Sequence, residues 1–386
     1  MTFLAGTAMT PRLPLTRRSA LRLAAAGGVA GFLGWAGHDA PAQVDPRAPD
    51  AAGNDFVTPE AQAAIDRGLG FLAGAQLDDG SLASDRVGGG RASGITALAG
   101  LALMAGGHQP GRGRYARTVS RIVDYLLGCA SGATPGFVVS PDAQRGFRGG
   151  QNQEAMYSHG FACLFLSEVS GMLPDPARQR QVKAALEQAV AFTVRAQNKE
   201  GGWRYEPQPQ QADVSVTVAQ MMALRAARNA GLFVRKSVVD AGVDFLKGCQ
   251  QPDGGFGYTR SQMPYSMFAR SAASLVGLFS AGQYSGPPIE RGLRYVMQFL
   301  PSKRFSFREI PAHHYYYGHY YAALAMWTAG GEHWAQWFPA AREELLGRVR
   351  GAGGVWSDDH YGPAYATAMS LIVLQLPNNY LPILQK

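Results

Sequence analysis

A chain of 386 residues with 46% hydrophobic side chains has room for a large buried core, as two ordinary domains or as one domain built of repeats. Its formal net charge is +8, yet the basic residues form no stripe with interleaved aromatics, which argues against nucleic acid as a partner. Three cysteines and no C-x-x-C pair argue against a disulfide framework and a metal site, and no motif asks for a cofactor.

The first element in chain order is an address. Leu15–Arg22 reads LTRRSALR, with the twin arginine Arg17-Arg18 ahead of a run of Ala, Gly, Leu and Val ending near Trp35. Ala40-Pro41-Ala42 has the small-residue form of a cleavage site. The expectation is a twin-arginine export signal over 1–42, a mature start at Gln43 and a periplasmic or extracellular destination. Retention as a membrane anchor is the alternative. The apolar run is only about a dozen residues, short for a bilayer, so no stable span is expected after cleavage. Four arginines and one acid leave with the signal, which lowers the net charge of +8 by three to +5. Residues 43–58 follow as a linker.

From Pro59 onward, helical patterns alternate with glycine-rich turns, and no strand alternation is evident. One phrase recurs at fixed spacing. Phe71, Gln76, Gly80 and Leu82 repeat as Phe192, Gln197, Gly201 and Trp203, and again as Phe245, Gln250, Gly254 and Phe256. Weaker copies keep Tyr125, then Arg291-Gly292 with Tyr295, then Gly353-Gly354 with Trp356. Six charged first helices are predicted to begin near residues 60, 114, 178, 236, 288 and 334. Each is followed by a second helix that is apolar and rich in small residues, such as SGITALAGLALMAGG, and five of the six second helices end in a small residue plus glycine. The charged helices belong on an outer layer and the apolar ones inside.

Six such hairpins predict an all-α, single-domain α6/α6 toroid over 59–377, with a C-terminal tail over 378–386. An open solenoid would need polar caps at both ends, whereas the last helix here is among the most apolar. In the repeated phrase the Gln is expected to serve orphaned backbone groups at its own helix end. The glycines permit a tight reversal and the aromatic folds back over the hairpin. Cys129, Cys163 and Cys249 sit in helical stretches as buried thiols.

The unit Phe-x4-Gln-x3-Gly-x-aromatic resembles the repeat of the prenyltransferase and squalene oxidase repeat proteins, which include the terpenoid cyclases and the β subunits of protein prenyltransferases. The resemblance spans Pro59–Pro377. It implies a toroid whose central funnel receives an isoprenoid chain, and it extends to exported bacterial proteins that carry the repeat without an assigned activity. The family's catalytic motifs are missing. There is no D-x-D-D, no D-D-x-x-D and no Asp-x-Cys zinc pair, and the chain has room for one toroid rather than two.

The residues left to do chemistry should stand where the turns launch the inner helices, whose N-termini ring the funnel mouth. His313–Tyr321 is the densest stretch. There Tyr316 and Tyr320 share a helical face, with His314 and His319 nearby, and stacked rings of this kind stabilise cations or line sugar sites. Asp213 stands at a helix start, as an N-cap or a general acid. Asp358, Asp359 and His360 crowd the last turn, as acid–base machinery, a metal site or, on the favoured reading, a solvated turn. Glu154, Tyr157 and His159 open the second inner helix, Tyr365 the last, and Arg270 lies in a small-residue helix where a buried guanidinium asks for an anion. The functional expectation is an apolar isoprenoid-type small molecule bound or transformed in an aromatic funnel. The alternatives are a non-catalytic scaffold with a protein or envelope partner, and a carbohydrate-active lyase or hydrolase toroid.

Overall fold

The computed structural model describes residues 56–85, 90–141, 155–261, 265–301, 314–349 and 354–385. The export signal and most of the linker lie outside them, as do Glu154 and His313. The described residues hold twelve α-helices: α1 (Pro59–Gly74), α2 (Ser93–Ala105), α3 (Ala116–Ala130), α4 (Ala155–Val169), α5 (Pro176–Ala196), α6 (Val214–Asn229), α7 (Lys236–Gly248), α8 (Phe268–Ser280), α9 (Pro287–Val296), α10 (Tyr315–Ala329), α11 (Gly331–Gly347) and α12 (Pro363–Leu374). A two-residue antiparallel ribbon, Ala83–Ser84 against Gly90–Arg91, sits in the first turn.

The even-numbered helices form the inner ring. Each packs on the next, and α12 packs on α2, so the ring closes; in the outer layer α11 also reaches α1. Every residue of α2 and of α8 is buried. The outer α1 instead buries one stripe, Ala61, Ala64, Ile65, Gly68, Leu69 and Leu72, at the three-four spacing of an amphipathic helix. Small residues let the inner helices approach closely: a Cβ on Gly100 would stand 2.4 Å from the Phe165 ring. The glycines that end five inner helices, at 107, 171, 231, 282 and 330, all have positive φ, the left-handed stop that only glycine adopts freely.

The repeated phrase is a joint between repeats, and its Gln works differently from expectation. Gln76 Nε2 donates to the carbonyls of Gly80 (3.1 Å) and Thr118 (3.0 Å). Gln197 donates to those of Gly201 (2.7 Å) and Val238 (2.9 Å), and Gln250 to those of Gly254 (3.0 Å) and Pro288 (2.8 Å). One bond closes the turn; the other reaches the start of the next outer helix. The glycine is obligatory on two grounds. Its φ is +90° at Gly80 and Gly201 and +92° at Gly254, and a Cβ there would lie 2.3–2.7 Å from a backbone oxygen of that next helix. The aromatic is buried behind the turn, and Trp203 Nε1 donates to the Thr193 carbonyl at 2.8 Å. Its backbone N–H is held by a hydroxyl on the inner helix: Leu82 by Thr96, Trp203 by Thr217 and Phe256 by Ser271.

Beyond α12 the tail packs against the ring. Gln375 and Asn378 donate to the carbonyls of Ala102 and Ala105, the Ile383 N–H to Glu168, and Arg225 to the Gln385 carbonyl. These contacts lie near the C-terminal ends of α2, α4 and α6. Cys129, Cys163 and Cys249 are buried free thiols.

Candidate functional site

Because the inner helices share one direction, their N-terminal ends gather at one mouth. There a cavity of about 890 Å³ opens, with walls from all six inner helices and from described residues just before α2, α6, α8, α10 and α12. Its depth is apolar, from Ile95 and Leu98 on α2, Phe161 on α4 and Met369 on α12. Tyrosines make up much of the rest: Tyr157, Tyr205, Tyr258, Tyr265, Tyr317, Tyr361 and Tyr365. One turn further along α10, Tyr320 and Tyr321 are buried and stand 4.9 Å apart ring to ring, and Tyr320 meets Phe161 at 6.4 Å. Tyr320 thus packs behind Phe161, the residue of α4 at the apolar depth of this aromatic bowl.

One wall carries charge. Two guanidinium groups lie over the Tyr258 ring, Arg204 at 5.5 Å and Arg270 at 5.6 Å from its centre, and Arg270 also covers Tyr265 at 5.1 Å. Cation–π attraction holds such a stack. The Tyr258 hydroxyl meets that of Tyr205 at 2.6 Å. Behind this wall lies Asp213, fully buried at the N-cap of α6. Its Oδ1 accepts from the Val216 N–H at 2.9 Å, while Oδ2 has no hydrogen bond within the protein and stands 4.0 Å from Arg204 Nε. Burial pushes its carboxyl up to about 7, against the pull of the Val216 N–H and of Arg204. The Ser215 hydroxyl lies close to those of Tyr157 and Tyr317, both pushed upward chiefly by burial.

Of the residues singled out in the sequence, Tyr157, Arg270, His314, His360 and Tyr365 line the cavity, and Asp213 lies just behind it. The others do not. His159 points away into the outer layer, its Nε2 2.8 Å from the Thr193 hydroxyl and its Nδ1 accepting from the Val138 N–H. Burial holds its pKa near 3, so it stays neutral. His319 is caged by Tyr315, Phe268 and Trp337, with neither nitrogen hydrogen-bonded, and burial again lowers it to about 3. Tyr316 faces the turn before α12 and donates to the Ser357 carbonyl at 3.1 Å. Tyr320 is buried behind Phe161 and is not among the lining residues. Asp358 is spent on its own turn, accepting from the N–H groups of His360 and Tyr361, and Asp359 is exposed on that turn.

Sequence reasoning held Tyr317 only as a member of the tyrosine-rich stretch, and it missed Arg204, Tyr205, Tyr258, Tyr265 and Tyr361. The signal for two of them was present: Tyr205 and Tyr258 are the closing residues of the two best copies of the repeat. Among the described residues no carboxylate lines the cavity, and no cluster of three His, Cys, Asp or Glu side chains stands where a metal could be held. No described helix is long and apolar enough to cross a membrane.

No protein-family profile matches the chain. Lanosterol synthase of Candida albicans is 33% identical over 107 residues, covering 25% of this chain and 15% of that enzyme, so the chain matches only a small part of the relative's length. The type II terpene cyclase MstE from Scytonema, in complex with geranylgeranyl dihydroxybenzoate, superposes with a TM-score of 0.55 at 16% identity, over 83% of this chain and 98% of that one. Cellobiose 2-epimerase from Spirochaeta thermophila superposes with a TM-score of 0.58 at 10% identity, over 86% and 99%. At these identities the likeness is one of fold, while the Gln–Gly–aromatic joints and the lanosterol synthase match point the same way in sequence. The chain folds as an α/α toroid similar to that of the type II terpene cyclase MstE.

Proposed function

We propose that this toroid binds an apolar isoprenoid-type ligand in its aromatic bowl and that Asp213 serves proton transfer there. One observation carries the reading: a cavity of about 890 Å³ with an apolar depth and tyrosine-rich walls, in a fold shared with a cyclase that holds a geranylgeranyl substrate. Rings at such spacing attract cationic character along a prenyl chain. Asp213 keeps a proton to about neutral pH and lies behind Tyr258 and Ser215. An acid of that strength suits general acid–base exchange with a polar ligand group. It is too weak to protonate an isolated alkene. Export through the twin-arginine leader is part of the same proposal. It predicts that a reporter fused to residues 1–42 leaves the cytoplasm and that changing Arg17 and Arg18 to lysine retains it.

The test is to purify the full chain, extract bound lipids for mass spectrometry, and titrate prenyl alcohols of increasing length against tyrosine and tryptophan fluorescence. Saturable binding that tightens with chain length supports the reading. A consistently empty cavity that takes no prenyl compound overturns it. A sugar site is the second reading, favoured by the epimerase likeness and by the Tyr, Arg and His rim. It predicts binding of neutral disaccharides, and the absence of a carboxylate among the described lining residues weighs against hydrolysis by an acid pair.

A further inference from the structure

Arg270 is 7% exposed, lines the cavity, and has no carboxylate within ion-pair distance among the described residues. The groups that cover its charge are the rings of Tyr258 and Tyr265 and the Tyr265 hydroxyl, and neutral tyrosines do not neutralise a guanidinium. Arg204 has one acid nearby, Asp213 at 4.0 Å, whose Oδ1 is already committed to the Val216 N–H. The wall therefore holds two cations against one incompletely ionised carboxylate. A buried guanidinium without an anion is costly, and removing an anionic partner from such a site leaves an uncompensated charge. The N-terminal ends of six inner helices add positive potential at the same mouth. Opposite this wall the cavity is apolar, through Ile95, Leu98 and Met369.

We propose that the wall formed by Arg204, Tyr258 and Arg270 is a site for an anionic headgroup, so that the ligand is an amphiphile with a prenyl chain in the apolar depth and a carboxylate or phosphate at Arg270. This rests on the isoprenoid reading above and adds the polar end. Arg270 approaches the headgroup from α8 and Arg204 from the turn before α6, and both guanidinium groups lie over the Tyr258 ring. Planar, charge-assisted donors of this kind recognise carboxylate and phosphate oxygens in pairs.

The experiment compares three probes sharing one chain: geranylgeraniol, geranylgeranoic acid and geranylgeranyl monophosphate. Each is titrated against the wild-type protein and against Arg270→Gln and Arg270→Lys, with helical circular dichroism confirming that the variants fold. The expected result is wild-type affinity for at least one anionic probe about 10- to 100-fold above that for the alcohol. Arg270→Gln should bring that ratio close to one while leaving the alcohol within about twofold, and Arg270→Lys should restore part of it. The anion that gains most identifies the headgroup as carboxylate or phosphate. Equal wild-type affinity for all three probes overturns the headgroup site and leaves the isoprenoid reading standing. Equal weakening of all three in Arg270→Gln also overturns it, since that marks a packing role. Failure of all three probes to bind the wild type removes the isoprenoid reading itself, and this proposal with it.

Discussion

Substituting Gly201 by alanine separates the two reasons for a glycine in the joint. Its φ of +90° costs any L side chain about 1–2 kcal/mol. The new Cβ would also stand 2.4 Å from the Ala241 carbonyl oxygen, well inside the closest approach that real contacts show, so the turn must move off α7. Overpacking of that kind costs about 1–3 kcal/mol. The same movement stretches the Gln197 bonds of 2.7 and 2.9 Å, which adds about 1 kcal/mol if one is lost. The total is about 3–6 kcal/mol. Gly231 is the control: its φ is +88°, yet nothing lies within 4 Å of where an alanine methyl would stand, so Gly231→Ala should cost about 1–2 kcal/mol. Urea unfolding followed by circular dichroism, with equal slopes required of the two variants, gives the difference. Losses that agree within about 0.5 kcal/mol would refute the claim that the joint is defined by contact with the next helix.

The remaining predictions concern hydrogen bonds, titration and the tail. Gln197→Ala should lower stability by about 1–3 kcal/mol, and Gln250→Ala similarly, because each removes two bonds to main-chain carbonyls; thermal unfolding of the pair checks this. Asp213 holds its proton more tightly folded, at about 7, than unfolded, so its ionisation should cost stability progressively from about pH 4 to pH 7. Asp213→Asn keeps an N-cap acceptor and cannot ionise, so its stability relative to wild type should rise over that range; a parallel pH course for both proteins contradicts the assignment. His319 is lowered to about 3, so its contribution is present above its unfolded value of about 6.5 and lost as pH falls below it. His319→Leu should therefore unfold less readily than wild type at pH 5, measured by urea midpoint. Truncation after Asn379 removes Leu381 and Ile383 from the ring, and should lower the melting temperature while leaving the cavity's ligand affinity within about twofold.

The architecture could be read from the sequence because its signal is repeated. The Gln, Gly and aromatic of each joint recur at one spacing, and the helices that follow start within three residues of where that spacing puts them. The hydroxyls of Thr96, Thr217 and Ser271 escaped notice because a Ser or Thr in a first turn reads equally well as a cap. The cavity was harder. In α10 aromatic residues fall on every face, so periodicity cannot tell which turns inward, and the structure selects Tyr317 over Tyr316, a rotation of one residue. His159 and Asp358 look reactive by type, but backbone and hydroxyl partners already occupy them. Tyr205 and Tyr258 were hidden by their own regularity. They end a phrase whose first residues are structural, and only the folded chain shows the last residue of each copy leaving the joint for the cavity wall.

The closure of α12 on α2 has an evolutionary consequence. An open stack of repeats tolerates gain or loss of a unit at either end, since each unit answers only to its neighbours. A circle admits no such trimming: deleting one hairpin leaves five that must reset every interhelical angle at once. Change is therefore easier in the loops than in the ring, and the described turns before α6, α8 and α12 are among the segments that wall the mouth. Such a frame can change what it holds far more easily than how it is built.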